Sequence, residues 1–260
     1  AVLIESRPVK LTTRTGVEVR RTLPHRDLKM IGAWCFVDHF GPTEQTDGMV
    51  VAAHPHTGLQ TVTWLLEGAI EHRDSIGSIQ RIEPGQLNLM TAGHGISHSE
   101  LSLAGPERLH AVQLWVALPE ADEETDPAFT HYPAADLPVH DEAGVWMRLI
   151  AGEAYGMKSP VRTHSPLFYL HTEWQPGARL ALPGGYSEQA AYVARGEVEY
   201  DGVTYVPGQL LVFGNDTDAT LKAHTKATLM VFGGEPLGER HIFWNFVSSR
   251  KERIEQAKAD

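Results

Sequence analysis

The stretch EPGQL at 83–87 returns later in the same chain as VPGQL at 206–210. An earlier pair of matching segments, LLEG at 65–68 and VARG at 193–196, opens a hairpin before each of them. The glycines of the earlier pair are 128 residues apart and the prolines of the later pair are 123 apart, so the first copy carries five additional residues, around 72–77. Two matches in the same order predict an internal duplication of one structural unit.

Short segments rich in β-branched and aromatic residues surround these turns and predict strands. They are 61–66, 109–118, 167–172, 191–194 and 228–232. Helical character is confined to the charged tail after Ser248, which predicts one short surface helix. The proline-containing acidic stretch 120–138 predicts an exposed crossover between halves. The chain is therefore predicted to be all-β, with an N-terminal domain over 1–135 and a C-terminal domain over 136–260 that ends in the helix.

Composition excludes several function classes. The chain has 22 basic and 33 acidic residues and no dense basic cluster, which argues against direct binding of nucleic acid. No apolar run reaches the roughly 18–20 residues that a membrane span requires. The single cysteine, Cys35, lies in the apolar stretch WCFV at 34–37 and predicts a buried structural thiol. With no signal-peptide pattern at the N-terminus, this cysteine usage indicates a reducing, cytoplasmic location.

Two pairs of potential metal ligands share one spacing. His54 and His56 are two residues apart, and His98 and Glu100 repeat that spacing further along the chain. Alternate side chains of a strand point to the same face of its sheet. Two such strands side by side would therefore direct three imidazoles and one carboxylate at a single point.

This set of donors is typical of a divalent transition metal. It suits Fe(II) and also Mn, Co, Ni, Cu or Zn, because imidazole binds all of them. Four protein ligands leave coordination positions open, as catalytic metal sites do. The glycines at 93 and 95 would let the backbone turn sharply before the second pair.

The other nearby polar residues are interpreted more simply. Either ligand pair alone is common in proteins without metals, so the prediction depends on the two pairs together. His94 is expected at the rim as a structural or supporting residue, and Glu67, His72 and Asp74 are expected on the surface. The matching positions of the second repeat, near 181–184 and 221–223, hold no ligand pair. The second half is therefore expected to have kept the scaffold and lost the metal.

Several of these segments together resemble the pirin family of the cupin superfamily. They are IGAWCFVDHFGP at 31–42, HPHTGLQTVTWLLEG at 54–68, residues 72–77, PGQLNLMTAGHGISHSE at 84–100, residues 109–118 and the ending at 243–249. The resemblance implies a bicupin, that is, two cupin-type β-barrels with one metal, usually iron, in the N-terminal barrel. The family's metal-binding motif falls on His54, His56, His98 and Glu100.

The resemblance implies two classes of function. Several bacterial pirins are similar in activity to quercetin 2,3-dioxygenases, which open a flavonol-like aromatic substrate with O₂ and release carbon monoxide. Glu100 would then be a catalytic base as well as a ligand, and Phe36, Phe40, Met90 and Trp115 would line the pocket unless they only pack the core. Other members resemble non-catalytic, metal-containing regulators that bind a protein partner and act on transcription or on metabolic enzymes, and a scaffold without activity is a third alternative.

Overall fold

A computed structural model describes residues 1–11, 18–43, 49–102, 108–214 and 219–260. The strands are β1 (Val2–Glu5), β2 (Arg7–Lys10), β3 (Glu18–Leu23), β4 (Trp34–Thr43), β5 (Val50–His56), β6 (Leu59–Glu67), β7 (Ile70–Asp74), β8 (Ile79–Ile82), β9 (Leu87–Thr91), β10 (Ile96–Ser102), β11 (Leu109–Ala117), β12 (Ala128–Tyr132), β13 (Val139–Glu142), β14 (Val145–Ala154), β15 (Met157–Lys158), β16 (Leu167–Trp174), β17 (Arg179–Ala181), β18 (Glu188–Arg195), β19 (Val198–Tyr200), β20 (Val203–Tyr205), β21 (Gln209–Phe213), β22 (Thr220–Ala223), β23 (Ala227–Gly234), β24 (His241–Phe243) and β25 (Phe246–Ser248). Helix α1 spans Lys251–Ala259, and short 3₁₀ turns lie at Glu120–Asp122 and Ala134–Asp136.

The all-β prediction with a short C-terminal helix is confirmed. The structure is 59% strand and 6% helix, and each predicted strand overlaps an observed one. The predicted tail helix is α1, in which only Ile254 and Ala257 are buried. No helix in the described part of the chain combines the length and the apolar character that crossing a bilayer would require.

The chain folds into two compact units. The N-terminal segment belongs to the unit formed mainly by the second half of the chain, and the C-terminal segment belongs to the unit formed mainly by the first half. Unit 1 consists of Ala1–Arg7, Thr22–Ala33 and Ala135–Pro236, and unit 2 consists of Pro8–Arg21, Trp34–Ala134 and Leu237–Asp260. The predicted boundary after residue 135 lies beside the junction at Ala134 and Ala135. The termini differ from that prediction because β1 pairs with β21, whereas β25 bridges to Thr57. We propose that the domain limits are those of the two units given above.

Two antiparallel sheets form the body of unit 2, beside the two-stranded sheet β24-β25. The larger has the strand order β12-β9-β6-β11-β4-β3-β2, and the smaller has the order β5-β10-β7-β8. The central strand β11 is buried along its whole length, in keeping with its apolar sequence LHAVQLWVA. In the smaller sheet β10 alternates instead: Ile96, His98, Glu100 and Ser102 are buried, and the residues between them are partly exposed. This alternation turns the His98 and Glu100 side chains into the interior.

Unit 1 repeats the same plan. Its larger sheet has the order β1-β21-β18-β23-β16-β14-β13, with β15 paired to β14, and its smaller sheet has the order β17-β22-β19-β20. An apolar core that includes Leu149, Phe168, Leu221 and Leu229 fills the space between them. The matching strand orders agree with the predicted duplication.

The extra length of the first repeat lies in a hairpin of the smaller sheet. In unit 2 the chain leaves β6 at Gly68, which has a φ of 85°, and forms the hairpin β7–β8. In unit 1 it leaves β18 at Gly196, where an added Cβ would overlap the backbone of Lys226, and forms the hairpin β19–β20. The strands β7 and β8 have five and four residues, whereas β19 and β20 have three each. The five additional residues therefore lengthen one hairpin of unit 2.

Candidate metal centre

Two neighbouring strands of the smaller sheet in unit 2 carry the predicted ligands. His54 and His56 lie on β5, and His98 and Glu100 lie on β10. The two strands are antiparallel, with His98 directly opposite His54 and Ile96 opposite His56. Beyond His98 the register shifts, so that Glu100 is opposite Val51. This bulge adds one residue to β5 between the histidines and the start of the strand.

The three histidines converge. One ring nitrogen from each of His54, His56 and His98 lies within 4.8 Å of the other two. The Nε2 atoms of His56 and His98 are 3.1 Å apart. Nδ1 of His54 is 2.8 Å from the carbonyl oxygen of Ala52, and a hydrogen bond there leaves Nε2 of His54 as the free donor atom. Among the described residues this is the only group of three or more metal-ligand side chains.

Burial keeps these imidazoles neutral. Desolvation lowers the pKa of His54, and it lowers the pKa values of His56 and His98 well below the usual range. The neighbouring histidines add to the effect, because each would repel a second positive charge. A neutral imidazole has a free lone pair, which is the form that binds a metal.

Glu100 lies beside the triad without belonging to the group of converging nitrogens. Its side chain is buried, and Thr63 Oγ1 donates to its Oε1 at 3.5 Å. Burial raises the pKa of Glu100 to about 7, because desolvation penalises the carboxylate more than the Thr63 hydroxyl stabilises it. A nearby dication would offset that penalty. Glu100 lines the same cavity as His54 and His56, and its role as a ligand stays a prediction.

The donor set fits a divalent transition metal. Two nitrogens bound at about 2.1 Å and at right angles would be about 3.0 Å apart. The 3.1 Å between the Nε2 atoms of His56 and His98 is close to that value. The histidine triad is therefore able to hold a metal, and the identity of the metal is left open because imidazole serves several.

A cavity of about 430 Å³ opens onto this group of histidines. His54, His56 and Glu100 line it together with aromatic side chains from the larger sheet. Phe36 and Trp115 stack face to face there, with ring centroids 3.7 Å apart and planes inclined by 8°. Trp115 also meets the ring of His56 edge-on at 5.0 Å. The volume is within the range of about 300–1,000 Å³ that small-molecule sites occupy.

The buried residues on the matching strands of unit 1 are aliphatic. The strands β17 and β22 take the places of β5 and β10 in the matching strand order. Leu180 lies opposite Leu221 in that pair, and both are buried in the apolar core of unit 1. This arrangement agrees with the expectation that the second repeat kept the scaffold without the ligands.

Two residues that were expected on the surface are buried beside the triad. The side chains of His72 and Asp74 are 5% and 0% exposed, so the prediction for them was wrong. They lie on β7, which pairs with β10, and the ring of Phe129 stacks on His72. Burial lowers the pKa of His72, although Asp74 works against the effect. Glu67 is 30% exposed beside Arg108, and the side chain of His94 is 52% exposed near Asp126.

The predicted pocket residues divide into two groups. Phe36, Phe40 and Trp115 line the cavity, whereas Met90 packs in a separate small apolar cluster. Cys35 is buried and free, as predicted.

Several other residues line the cavity that no pattern in the sequence predicted. Trp244 and Asn245 reach it from the turn between β24 and β25. Trp244 has a φ of 50°, which a non-glycine residue rarely adopts, and is 59% exposed. Arg21 and Asp38 line it from β3 and β4 and form a two-pronged ion pair with both distances 2.7 Å.

Two duplicated all-β units, one of which carries a buried histidine triad, define a bicupin. Comparison with known families agrees with this class: the family described as Pirin matches residues 16–116, and the Pirin C-terminal cupin domain matches residues 169–260. The chain belongs to the pirin family.

Similar proteins come from several bacteria. A pirin-like protein of Caulobacter vibrioides is 50% identical over 251 residues, covering 94% of this chain and 87% of the relative. A Pseudomonas aeruginosa protein, provisionally named a quercetin 2,3-dioxygenase, is 42% identical and covers 94% of this chain and 78% of its own. The crystal structure of a quercetin 2,3-dioxygenase from Acinetobacter baumannii has a TM-score of 0.93 at 35% identity, covering 99% of this chain and 87% of that one.

Proposed function

We propose that this protein is a metal-dependent dioxygenase that opens the heterocycle of a flavonol-like substrate with O₂. The observation that carries the proposal is that two histidines of the triad, His54 and His56, line a cavity whose wall also contains stacked aromatic rings. Two similar proteins bear the name quercetin 2,3-dioxygenase, which supports the same substrate class.

His54, His56 and His98 would hold the metal, with Glu100 as the fourth ligand. Iron(II) is the proposed ion, and Mn, Co, Ni, Cu and Zn are the alternatives. When bound, such a metal supplies Lewis acidity toward a substrate hydroxyl and redox chemistry toward O₂. The three neutral imidazoles and one carboxylate leave positions open for small molecules.

The aromatic wall would bind and orient the substrate. Phe36 and Trp115 offer a flat face beside His56, and Trp244 lines the cavity from the turn between β24 and β25. Planar rings gain about 0.5–1.5 kcal/mol from stacked or edge-on contacts with aromatic side chains beyond simple burial. A flavonol would therefore lie against this wall with its hydroxyl toward the histidines.

Glu100 would accept the proton of that hydroxyl. A carboxylate placed within reach of a hydroxyl can act as a general base, and Glu100 lines the cavity beside His54 and His56. Thr63 donates to Oε1 of Glu100, whose side chain also lines the cavity. Deprotonation in the buried cavity would give the substrate the negative charge that favours its binding near a cation.

The experiment is an assay of the iron-loaded protein with quercetin under oxygen. We expect loss of the flavonol absorbance and release of carbon monoxide, and neither in the metal-free protein. His56→Ala should abolish turnover, whereas His94→Ala, a matched substitution of an exposed histidine, should retain it.

An iron-loaded protein that shows no turnover above the metal-free blank would overturn the dioxygenase proposal. If that protein still bound one metal per chain, the alternative of a non-catalytic regulator that binds a protein partner would be favoured instead. A pull-down with wild type and His56→Ala as baits would then test whether partner binding depends on the metal.

A further inference from the structure

We propose that Asp74 and His72 form a positioning relay that fixes the tautomer of His98, so that the Nε2 lone pair of His98 faces the metal centre. The inference rests on the metal-binding role proposed for His98 and does not depend on the dioxygenase reaction.

Three contacts in a row build the relay. Nε2 of His98 faces the triad, 3.1 Å from Nε2 of His56. On the other side of the same ring, Nδ1 of His98 lies 3.2 Å from Nδ1 of His72. Nε2 of His72 then lies 2.9 Å from Oδ2 of Asp74. Each ring thus uses both nitrogens, one toward each neighbour.

The proton positions follow from the acceptor at the far end. A carboxylate only accepts hydrogen bonds, so Nε2 of His72 must carry a proton toward Asp74. Nδ1 of the neutral His72 ring is then a lone pair, and Nδ1 of His98 must donate to it. This leaves Nε2 of His98 without a proton, which is the state a metal ligand requires.

The surrounding structure holds the relay rigidly. Oδ1 of Asp74 accepts hydrogen bonds from the backbone N–H groups of Ile76 at 3.1 Å and Ser78 at 2.9 Å. The ring of Phe129 stacks on His72 with centroids 4.3 Å apart and planes inclined by 20°. The carboxylate therefore cannot turn away, and the imidazole cannot rotate without losing its stacking partner.

The relay residues lie in the hairpin whose length differs between the two units. His72, Asp74 and the turn that follows them lie in the hairpin that is longer in unit 2 than in unit 1. The shorter hairpin of unit 1 turns through Asp201 and Gly202 directly after β19. The unit that contains the histidine triad is therefore also the unit with the longer hairpin. His72 of that hairpin contacts His98, one of the proposed ligands.

Asp74→Asn tests the relay with the least change in shape. The backbone donors Ile76 and Ser78 need an acceptor, so the amide oxygen should take the place of Oδ1 and the NH₂ group should face His72. Nε2 of His72 must then accept, Nδ1 must donate to His98, and the remaining proton of His98 moves to Nε2. The substitution would therefore put a proton on the metal-binding atom.

The measurement is the affinity for Co(II), followed by its visible absorption in competition with a chelator. We expect Asp74→Asn to weaken binding about 10- to 100-fold, the usual cost of losing such a supporting group. Glu71→Gln is the matched control, since it makes the same change on the same strand in a residue paired with exposed Arg73. It should bind Co(II) like wild type.

A double variant separates positioning from general damage. His72→Phe keeps a ring against Phe129 but breaks the relay, so His98 is free to choose its tautomer. In that background Asp74→Asn should change the Co(II) affinity by less than about twofold, because the two sites then no longer couple. A merely structural role predicts additive losses that follow the melting temperature of the metal-free protein.

Equal Co(II) affinity of Asp74→Asn and wild type would overturn the relay and leave the metal centre standing. Additive losses in the double variant would also overturn it. Failure of wild type itself to bind Co(II) would overturn the metal centre, and the relay with it.

Discussion

The ion pair between Arg21 and Asp38 offers a quantitative test of how the cavity wall is held. Both Arg21–Asp38 distances are 2.7 Å, and the two side chains are 21% and 2% exposed. The Arg21 guanidinium also lies 4.4 Å above the ring of Phe36, which stacks on Trp115. Arg21→Met would keep the apolar stem and leave the Asp38 carboxylate in the interior without this cation.

The expected loss in the free energy of unfolding depends on the burial of Asp38. Removing one partner of a buried pair costs about 3–5 kcal/mol, because the remaining charge is desolvated and uncompensated. Since a fifth of Arg21 remains exposed, water offsets part of the loss, and we expect a value near the lower limit, about 3 kcal/mol. The double variant Arg21→Met/Asp38→Leu should recover most of the stability, since no buried charge remains.

Urea unfolding followed by fluorescence measures the effect as a shift in midpoint at constant slope. Arg26→Met is the matched control, because Arg26 and its partner Asp27 are 86% and 66% exposed. An exposed pair of this kind contributes at most about 1 kcal/mol. Equal destabilisation by the two arginine substitutions would refute the reasoning, because burial would then have no part in the cost.

Three further predictions concern the cavity mouth, the thiol and the tail. Trp244→Ala should raise the KM for quercetin about three- to tenfold, the loss of one aromatic contact, at unchanged metal content; a lower kcat at constant KM would contradict its placement. Burial raises the pKa of the Cys35 thiol to about 12, so almost no thiolate is present at pH 8, and iodoacetamide at that pH should label the protein only in urea. Labelling of the folded protein would disprove this burial. Gly58→Ala should destabilise by more than the roughly 1–2 kcal/mol cost of the left-handed backbone, because its Cβ would overlap the carbonyl oxygen of Val247, and an unchanged urea midpoint would contradict that contact.

The sequence predicted the placement of the ligand pairs because a strand has a strict two-residue period. His98 and Glu100 are buried on β10 as the alternation requires, and His54 lies opposite His98. The period alone could not predict the bulge in β5, which depends on how two distant strands pair. In the structure the three histidines converge, and Glu100 lies beyond the bulge, opposite Val51.

The two-residue period did not predict which face of the hairpin strand β7 is buried. His72 and Asp74 also share an i, i+2 spacing, so they face the same side of β7. Which side is buried depends on the pairing of β7 with β10 and on Phe129 from β12, a strand far along the chain. A charged, turn-rich segment in sequence is typical of a surface hairpin, and only the tertiary contacts reverse that interpretation.

The position of Trp244 could not be predicted from the sequence for a different reason. Its position in the cavity wall depends on the return of the C-terminal tail to unit 2, where the backbone N–H of Val247 donates to the carbonyl oxygen of Thr57. Neither composition nor periodicity in the tail indicates this contact.

The most direct test of the metal centre is a crystal structure of the iron-loaded protein with anomalous data collected at the iron edge. We expect one strong peak per chain, bounded by the ring nitrogens of His54, His56 and His98 and by the Glu100 carboxylate. A peak at any other place, or loaded crystals with no peak between these side chains, would contradict the account.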